Sequence, residues 1–281
     1  MEPLQVTGLR KEYPTFQLQD LTFSLASGAI TGLIGRNGAG KTTTLKSILG
    51  FLRPDAGEVR LFGQPFLSHQ RESKLQLGYV SGGVRFYPNK KLRTITDVTR
   101  RFYPNWDDHV YQSCLRRFQL DERKTPAQLS EGMKVKYALT LALSHHARLL
   151  ILDEPTSGLD PISREELLSL FLALREQGVT ILFSTHITSD LDKCADHLLY
   201  LQQGRLVADA PLEAFIAQYQ SVTLTEAEYA QANKAWLIHP KRRRTNYEAL
   251  VTTAHAPLVS GTVTPTNLET IMIHLEQEAP E

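Results

Sequence analysis

The chain has 281 residues, and 31 Lys+Arg against 30 Asp+Glu give a formal net charge of +1. A hydrophobic fraction of 42% and a charged fraction of 22% are those of an ordinary folded domain, which excludes disorder, collagen and a small disulfide scaffold. The even charge also argues against a dedicated nucleic-acid binder, which carries a basic excess.

In chain order, residues 4–34 alternate apolar and polar positions (Leu4, Val6, Phe16, Leu18, Leu21, Phe23, Leu25) and predict two or three strands, followed by a buried strand Ala29–Ile34. A Gly-rich turn leads to a helix from Lys41 to about Gly50, and Gly57–Phe62 and Leu75–Ser81 read as strands. From about residue 83 to 147 the pattern turns helical, most clearly at Asp107–Arg117 and Ser130–His145. Strand and helix then alternate: Leu149–Asp153, Ser163–Glu176, Thr180–Ser184, Ile187–Ala195. Such alternation implies a parallel sheet covered by helices. A hairpin, His197–Gln202 and Arg205–Ala210 around Gln203-Gly204, ends this part. After Gln218 the pattern weakens, and residues 221–264 are rich in Thr, Ala and Gln. The run Lys241–Arg244 reads as a solvated loop, with lipid or nucleic-acid contact as the alternative, and Asn267–Gln277 as an amphipathic helix.

The two cysteines, Cys114 and Cys194, fit no zinc pattern and read as reduced thiols. His145-His146 reads as packing and surface, since no partner ligand sits at metal spacing. The start, Met1-Glu2-Pro3-Leu4-Gln5, has no basic, apolar leader pattern. No apolar run approaches the about 18 residues that span a bilayer.

Chemistry concentrates in two places. Gly35-Arg36-Asn37-Gly38-Ala39-Gly40-Lys41-Thr42 fits the G-x-x-x-x-G-K-[ST] phosphate loop, between a buried strand and a helix. Glycines let the backbone approach a phosphate chain, so that successive N–H groups and the helix N-terminus face its oxygens. Lys41 brings an ammonium to the β- and γ-phosphates, Thr43 follows in the first helical turn, and the Thr42 hydroxyl can ligate Mg²⁺. The second place is Leu149-Leu150-Ile151-Leu152-Asp153-Glu154, a buried strand ending in two carboxylates. Asp153 can hold the hydration shell of Mg²⁺, and Glu154 can polarise a water for in-line attack on a γ-phosphate.

With these motifs in order, residues 4–218 resemble the nucleotide-binding subunit of an ATP-binding cassette (ABC) transporter. Leu129-Ser130-Glu131-Gly132-Met133 resembles the family signature Leu-Ser-Gly-Gly-Gln, departing from it at Glu131 and Met133. Ser157-Gly158-Leu159-Asp160 resembles the D-loop, and His186, after Ser184-Thr185, the switch histidine. Tyr13 stands where the family stacks an aromatic ring on adenine, although it also reads as a strand aromatic in the core. Ser130 reads as a helix N-cap as well.

The resemblance implies an α/β fold: a P-loop NTPase (RecA-like) core with an antiparallel β subdomain and a helical signature subdomain at about 83–147. Residues 1–218 would form the cassette and 219–281 a C-terminal accessory region. It implies ATP with Mg²⁺, and a head-to-tail homodimer, or heterodimer with a related cassette, in which Ser130, Glu131, Gly132 and Asp160 face the partner's nucleotide. It further implies separate membrane-embedded transporter subunits, a place at the cytoplasmic face of the membrane, and no nucleic-acid partner. Within the family the resemblance is closest to bacterial ATPase subunits that serve ABC-2-type exporters. Residues 142–147 and 183–190 suggest the subgroup that accompanies a GntR-type regulator and peptide-antibiotic or envelope stress. Two alternatives are a soluble non-transport cassette ATPase and a slowly hydrolysing, nucleotide-gated subunit.

The second alternative is motivated by Gly82. Most of the family carries a Gln that reaches Mg²⁺ and the attacking water at this place. Here Gly78-Tyr79-Val80-Ser81-Gly82-Gly83 puts glycine there, and Gln76 comes too early. Slow hydrolysis and a raised need for free Mg²⁺ are the expectations.

Overall fold

The computed structural model describes residues 2–81 and 87–276. The chain divides into two compact units, Met1–Asp209 and Ala210–Glu281.

The first unit opens with β1 (Leu4–Tyr13) and β2 (Phe16–Ser24), an antiparallel hairpin. It continues through β3 (Ile30–Ile34), α1 (Lys41–Ile48), β4 (Ala56–Leu61), β5 (Gln64–Pro65), α2 (Gln70–Lys74) and β6 (Leu77–Ser81). The order β2-β1-β4-β5 makes a four-stranded antiparallel sheet. Then come α3 (Leu92–Thr99), α4 (Asp108–Arg117), α5 (Glu131–Ser144), β7 (Leu149–Asp153), α6 (Pro161–Glu176), β8 (Thr180–Thr185), α7 (Thr188–Cys194), β9 (His197–Gln202) and β10 (Arg205–Pro211). The second sheet runs β10-β9-β3-β8-β7-β6. Within it β9, β3, β8, β7 and β6 are mutually parallel.

Every residue of β3, β7 and β8 is buried, as expected of parallel strands covered on both faces. Leu4, Val6 and Leu9 of β1 and Leu18, Leu21 and Phe23 of β2 join one apolar core with Leu45 and Ile48 of α1 and Leu149, Ile151 and Leu182 of the parallel sheet. The helix after the phosphate loop is thereby wedged between the two sheets. Register then sets the site. Ile34 pairs with Thr185, Ser184 with Asp153, and Asp153 with Ser81, so the carboxyl ends of four strands finish level. Ligands of open α/β sheets bind at that edge.

The turn between β9 and β10 is tied into this arrangement. Gln203 and Gly204 both have positive φ, 46° and 76°, as a two-residue hairpin turn requires. Gln19 N–H donates to the Gly204 carbonyl at 2.8 Å, and Gly204 N–H donates to the Ala39 carbonyl at 3.0 Å. A Cβ at position 204 would lie 1.8 Å from the Gln17 carbonyl oxygen, so only glycine fits.

In the helical segment, Asp107 caps α4 by accepting from His109 and Val110 N–H. Buried Thr96, Tyr111 and Tyr137 share a hydroxyl network, closed by Tyr137 Oη donating to the Leu92 carbonyl at 2.9 Å. His145, at the end of α5, is buried and stacks on Tyr103 with ring centroids 3.8 Å apart. Its Nδ1 has no hydrogen-bond partner among the described residues. Burial pushes its pKa down to about 4, with the Leu75 carbonyl offsetting part of the effect. The folded protein therefore binds this proton less readily than the unfolded chain. Stability from a neutral His145 is complete above about pH 6.5 and is lost as pH falls toward about 4. His145→Phe keeps the stack and removes the titration. Between about pH 7.5 and 4.5 it should lose roughly 2–3 kcal/mol less than the wild type in urea unfolding. Equal losses in the two proteins would refute the assignment.

Cys114 and Cys194 are free and buried, and burial raises the Cys194 thiol to about 12. No helix among the described residues is long and apolar enough to cross a membrane.

The second unit is more regular than its sequence suggests. Strands β11 (Tyr219–Thr225), β12 (Ile238–Arg242), β13 (Asn246–Thr252) and β14 (Thr262–Pro265) form an antiparallel sheet in the order β12-β13-β11-β14. They accompany α8 (Leu212–Ile216), α9 (Glu226–Gln231) and α10 (Leu268–Leu275). Val222, Leu224, Leu237, Ala249, Val251 and Ala256 make a separate core. The basic run is not simply a loop: Lys241 and Arg242 end β12, while Arg242 pairs with Glu226 and Arg243 with Glu248. The last helix starts at Leu268, one residue later than expected, because Asn267 is its N-cap, accepting from Thr270 N–H, and Gln277 lies outside the described residues.

Candidate nucleotide-hydrolysis site

The residues from Gly35 to Gly40 join β3 to α1, and Lys41, Thr42 and Thr43 form the first turn of that helix, as the motif predicts. Gly40 is the N-cap of α1 with φ 110°, and a Cβ there would lie 2.7 Å from Phe16 Cζ and 2.6 Å from Leu18 Cδ2. The loop closes on itself through Ala39 N–H to the Arg36 carbonyl, and Thr44 N–H to that of Gly40. Lys41 is buried, and its Nζ donates to the Gly35 carbonyl at 2.7 Å and the Arg36 carbonyl at 3.3 Å.

Facing the loop, the end of β7 turns sharply. Glu154 has φ 50°, a left-handed conformation costing about 1–2 kcal/mol for a residue with a Cβ. Ser184 holds this turn: its Oγ accepts from Glu154 N–H at 2.9 Å and donates to Asp153 Oδ1 at 2.7 Å. The strained backbone aims the Glu154 carboxylate at two cations or donors. Oε1 lies 3.4 Å from Lys41 Nζ, and Oε2 accepts from His186 Nδ1 at 2.9 Å. That hydrogen bond assigns the proton of His186 to Nδ1. Thr42 Oγ1 donates to Asp153 Oδ1 at 3.2 Å.

A cavity of about 630 Å³ opens here, lined by Thr15, Phe16, Arg36, Asn37, Gly38, Gly40, Lys41, Thr42, Thr43, Glu154, Ser157 and His186. Gly35 and Ala39 shape the loop from behind and do not line it, and Asp153 lies beneath Thr42. Tyr13 is also outside the lining. It ends β1, is 40% exposed, and faces Phe16 across the hairpin, with Lys11 Nζ 5.7 Å from its ring. Thr15 and Phe16, which form the wall, carry no motif, and only their place in the hairpin before the phosphate loop marks them. Ser184 enters the sequence reading only as a neighbour of His186, whereas here it holds the Asp153–Glu154 turn. Gly82 lies outside the described residues.

A second cluster sits at the starts of α5 and α6. Ser130 caps α5, accepting from Met133 N–H at 3.2 Å, and Glu131 pairs with Lys134 at 2.6 Å. Asp160 caps α6, accepting from Ile162 and Ser163 N–H at 3.0 Å, and hydrogen bonds from Ser163 hold its carboxyl below the usual range. Gly132 packs on Ser163, where a Cβ would come within 3.3 Å. The structure thus joins the signature and D-loop residues to each other, and none of Ser130, Glu131, Gly132 and Asp160 lines the cavity of its own chain.

The Thr42 hydroxyl and Asp153 carboxylate, side by side next to the phosphate loop, are hard oxygen donors suited to Mg²⁺. No group of three or more His, Cys, Asp or Glu among the described residues could hold a metal unaided. A Mg²⁺ arriving with ATP needs no such cage, because phosphates and water supply most of its ligands.

Comparison with known proteins agrees with this geometry. The profile of the "ABC transporter" family matches residues 18–157. The bacitracin transport ATP-binding protein BcrA of Bacillus licheniformis is 33% identical over 214 residues, covering 75% of this chain and 70% of that protein. The Nod factor export ATP-binding protein I of Burkholderia orbicola is 34% identical over 220 residues, 76% and 72% of the two chains. Among solved structures, an ATP-binding subunit of an ABC transporter superposes with TM-score 0.69 at 31% identity, covering 76% of this chain and 92% of that one. The dimeric post-hydrolysis cassette MJ0796, bound to ADP and Pi, shares the fold at TM-score 0.66 and 21% identity, over 74% and 98% of the chains. A P-loop cavity with an opposed lysine, glutamate and histidine, found within these similarities, has one reading: the chain belongs to the ABC transporter family, as one of its ATP-binding, ATP-hydrolysing subunits.

Proposed function

We propose that this subunit drives export through separate membrane-embedded subunits, by ATP-dependent pairing of two cassettes at the cytoplasmic face of the membrane. The observation that carries the reading is the cavity itself. Lys41, Glu154 and His186 converge in it, while Ser130, Glu131, Gly132 and Asp160 lie elsewhere on the same chain. A second cassette, identical or related, can supply those four residues to the open side.

The loop from Arg36 to Thr43 wraps the phosphates with N–H groups, and the Lys41 ammonium adds a charge-assisted contact. Thr42 and Asp153 would hold Mg²⁺, which would supply positive charge against the phosphates. The Glu154 carboxylate takes a proton from the attacking water, and His186 fixes that carboxylate through Nδ1–H. Phe16 and Thr15 form the cavity wall on the hairpin side, and Tyr13, paired with Phe16 across the hairpin, is the aromatic ring proposed to stack on adenine. ATP bound by both cassettes stabilises the closed dimer, and hydrolysis removes that linkage. Export is supported by the bacitracin and Nod factor relatives, whose names state transport and export. The link to peptide-antibiotic or envelope stress is part of the same proposal.

Sedimentation velocity tests the pairing. The chain should be monomeric with ADP and shift to a dimer with ATP, and the shift should vanish in Ser130→Arg, which places bulk and charge at the contact. A Ser130→Arg protein that still pairs with ATP would remove the signature from the interface.

A further inference from the structure

Behind the Glu154–His186 pair lies a buried carboxylate that the chemistry above does not use. Asp190, in the first turn of α7, has no exposed surface. Its Oδ2 accepts from Thr156 Oγ1 at 2.6 Å and from Thr185 Oγ1 at 3.4 Å. Its Oδ1 receives the Nε–H of Arg164, whose Nη2 donates to Ser189 Oγ at 2.9 Å. Thr185 Oγ1 also accepts from Ile187 N–H at 3.0 Å, so one hydroxyl holds the backbone on both sides of His186.

These partners come from the loop after β7, the end of β8 and the helix α6. Thr156 is two residues past Glu154, on the segment that leads to Asp160. Thr185 immediately precedes His186. Arg164 stands on α6, and its N–H donates to the Asp160 carbonyl at 3.0 Å. A buried charge is costly unless its cation and donors are all in place. Asp190 therefore tolerates one relative placement of these segments and penalises others, which an apolar residue at the same position would not do.

The geometry points to Asp190 as a positioning residue for hydrolysis: through Thr156 and Thr185 it locks the Glu154 loop to the His186 loop, and through Arg164 it ties that lock to the Asp160 end of α6. The inference rests on the roles proposed above for Glu154 and His186. It also assigns a route by which a partner cassette pressing on Asp160 alters the Glu154–His186 contact. Asp190 does not line the nucleotide cavity, so its influence should fall on turnover and not on ATP affinity.

The test uses the full chain, with ATP affinity from calorimetry, steady-state hydrolysis, and melting curves that keep the assay below unfolding. Asp190→Asn should lower kcat by about 10–100-fold, the effect of a displacement near 1 Å at a reacting centre, with ATP affinity within about threefold. In a His186→Ala background the same substitution should add less than about twofold, because both act on one contact. Wild-type kcat in Asp190→Asn, a parallel loss of affinity, or a full additional loss in the His186→Ala background would each overturn the inference. Should Asp190→Asn fail to fold, Thr156→Val deletes a single hydroxyl at constant shape. Its kcat should fall several-fold with affinity unchanged, and unchanged kcat overturns the proposal. A His186→Ala protein with wild-type turnover would instead remove the underlying assignment of His186, and this inference with it.

Discussion

Glu154→Gln is expected to bind ATP at least as well as the wild type while its kcat falls by about 10²–10⁴, the usual worth of a positioned proton acceptor. Glutamine preserves shape and can still accept from His186 Nδ1–H through its amide oxygen, so the turn held by Ser184 should persist. What disappears is the ability to take a proton from water. The same change deletes a negative charge 3.4 Å from Lys41, next to where phosphates bind, so affinity should hold or rise. An ATP-bound dimer should then accumulate on size-exclusion chromatography, together with failed single-turnover hydrolysis. A variant that hydrolyses at the wild-type rate would show that Glu154 is not the acceptor.

Lys41→Ala should weaken ATP binding by roughly 10–150-fold, which corresponds to about 1.5–3 kcal/mol for hydrogen bonds to a charged group. Lys41 does more than meet phosphates. It bonds the Gly35 and Arg36 carbonyls and faces Glu154, so its removal leaves a carboxylate beside the cavity without its cation. Both effects oppose a polyanion, and both spare adenosine. Calorimetry with ATP and with adenosine separates charge from collapse. Loss for ATP alone supports the phosphate role, whereas equal loss for both would mean that the loop has lost its shape.

Much of this was legible from residue order, for physical reasons that differ along the chain. The strands Leu149–Asp153 and Thr180–Thr185 are apolar throughout because both faces are covered, and the glycines of the phosphate loop have no other use in that pattern. The strand expected at Leu75–Ser81 begins only at Leu77, since Leu75 still belongs to the end of α2. The sheet of the second unit was not foreseen. Its strands are short, and β11 presents Ser221, Thr223 and Thr225 between its buried Val222 and Leu224, a weak signal in a Thr-rich stretch. The Asp190 network was also invisible. Its partners lie 34, 26 and 5 residues away in sequence, and only the parallel register of β7 and β8 brings them together.

The turn at Gln203-Gly204 bears on how this protein can be handled. Hairpin tips with small residues are ordinarily the places to graft a peptide tag, a fluorophore or new chain ends. This tip is an exception, because its glycine gives one hydrogen bond to the phosphate-loop residue Ala39 and takes another from Gln19. A graft there would pull on the nucleotide loop from behind, and the tagged protein would report its own disturbance as a change in ATP affinity. The exposed turn at Arg243–Thr245, between β12 and β13, is closed within its own hairpin by Arg243 N–H donating to the Asn246 carbonyl and is the better attachment point for surface immobilisation or distance labels.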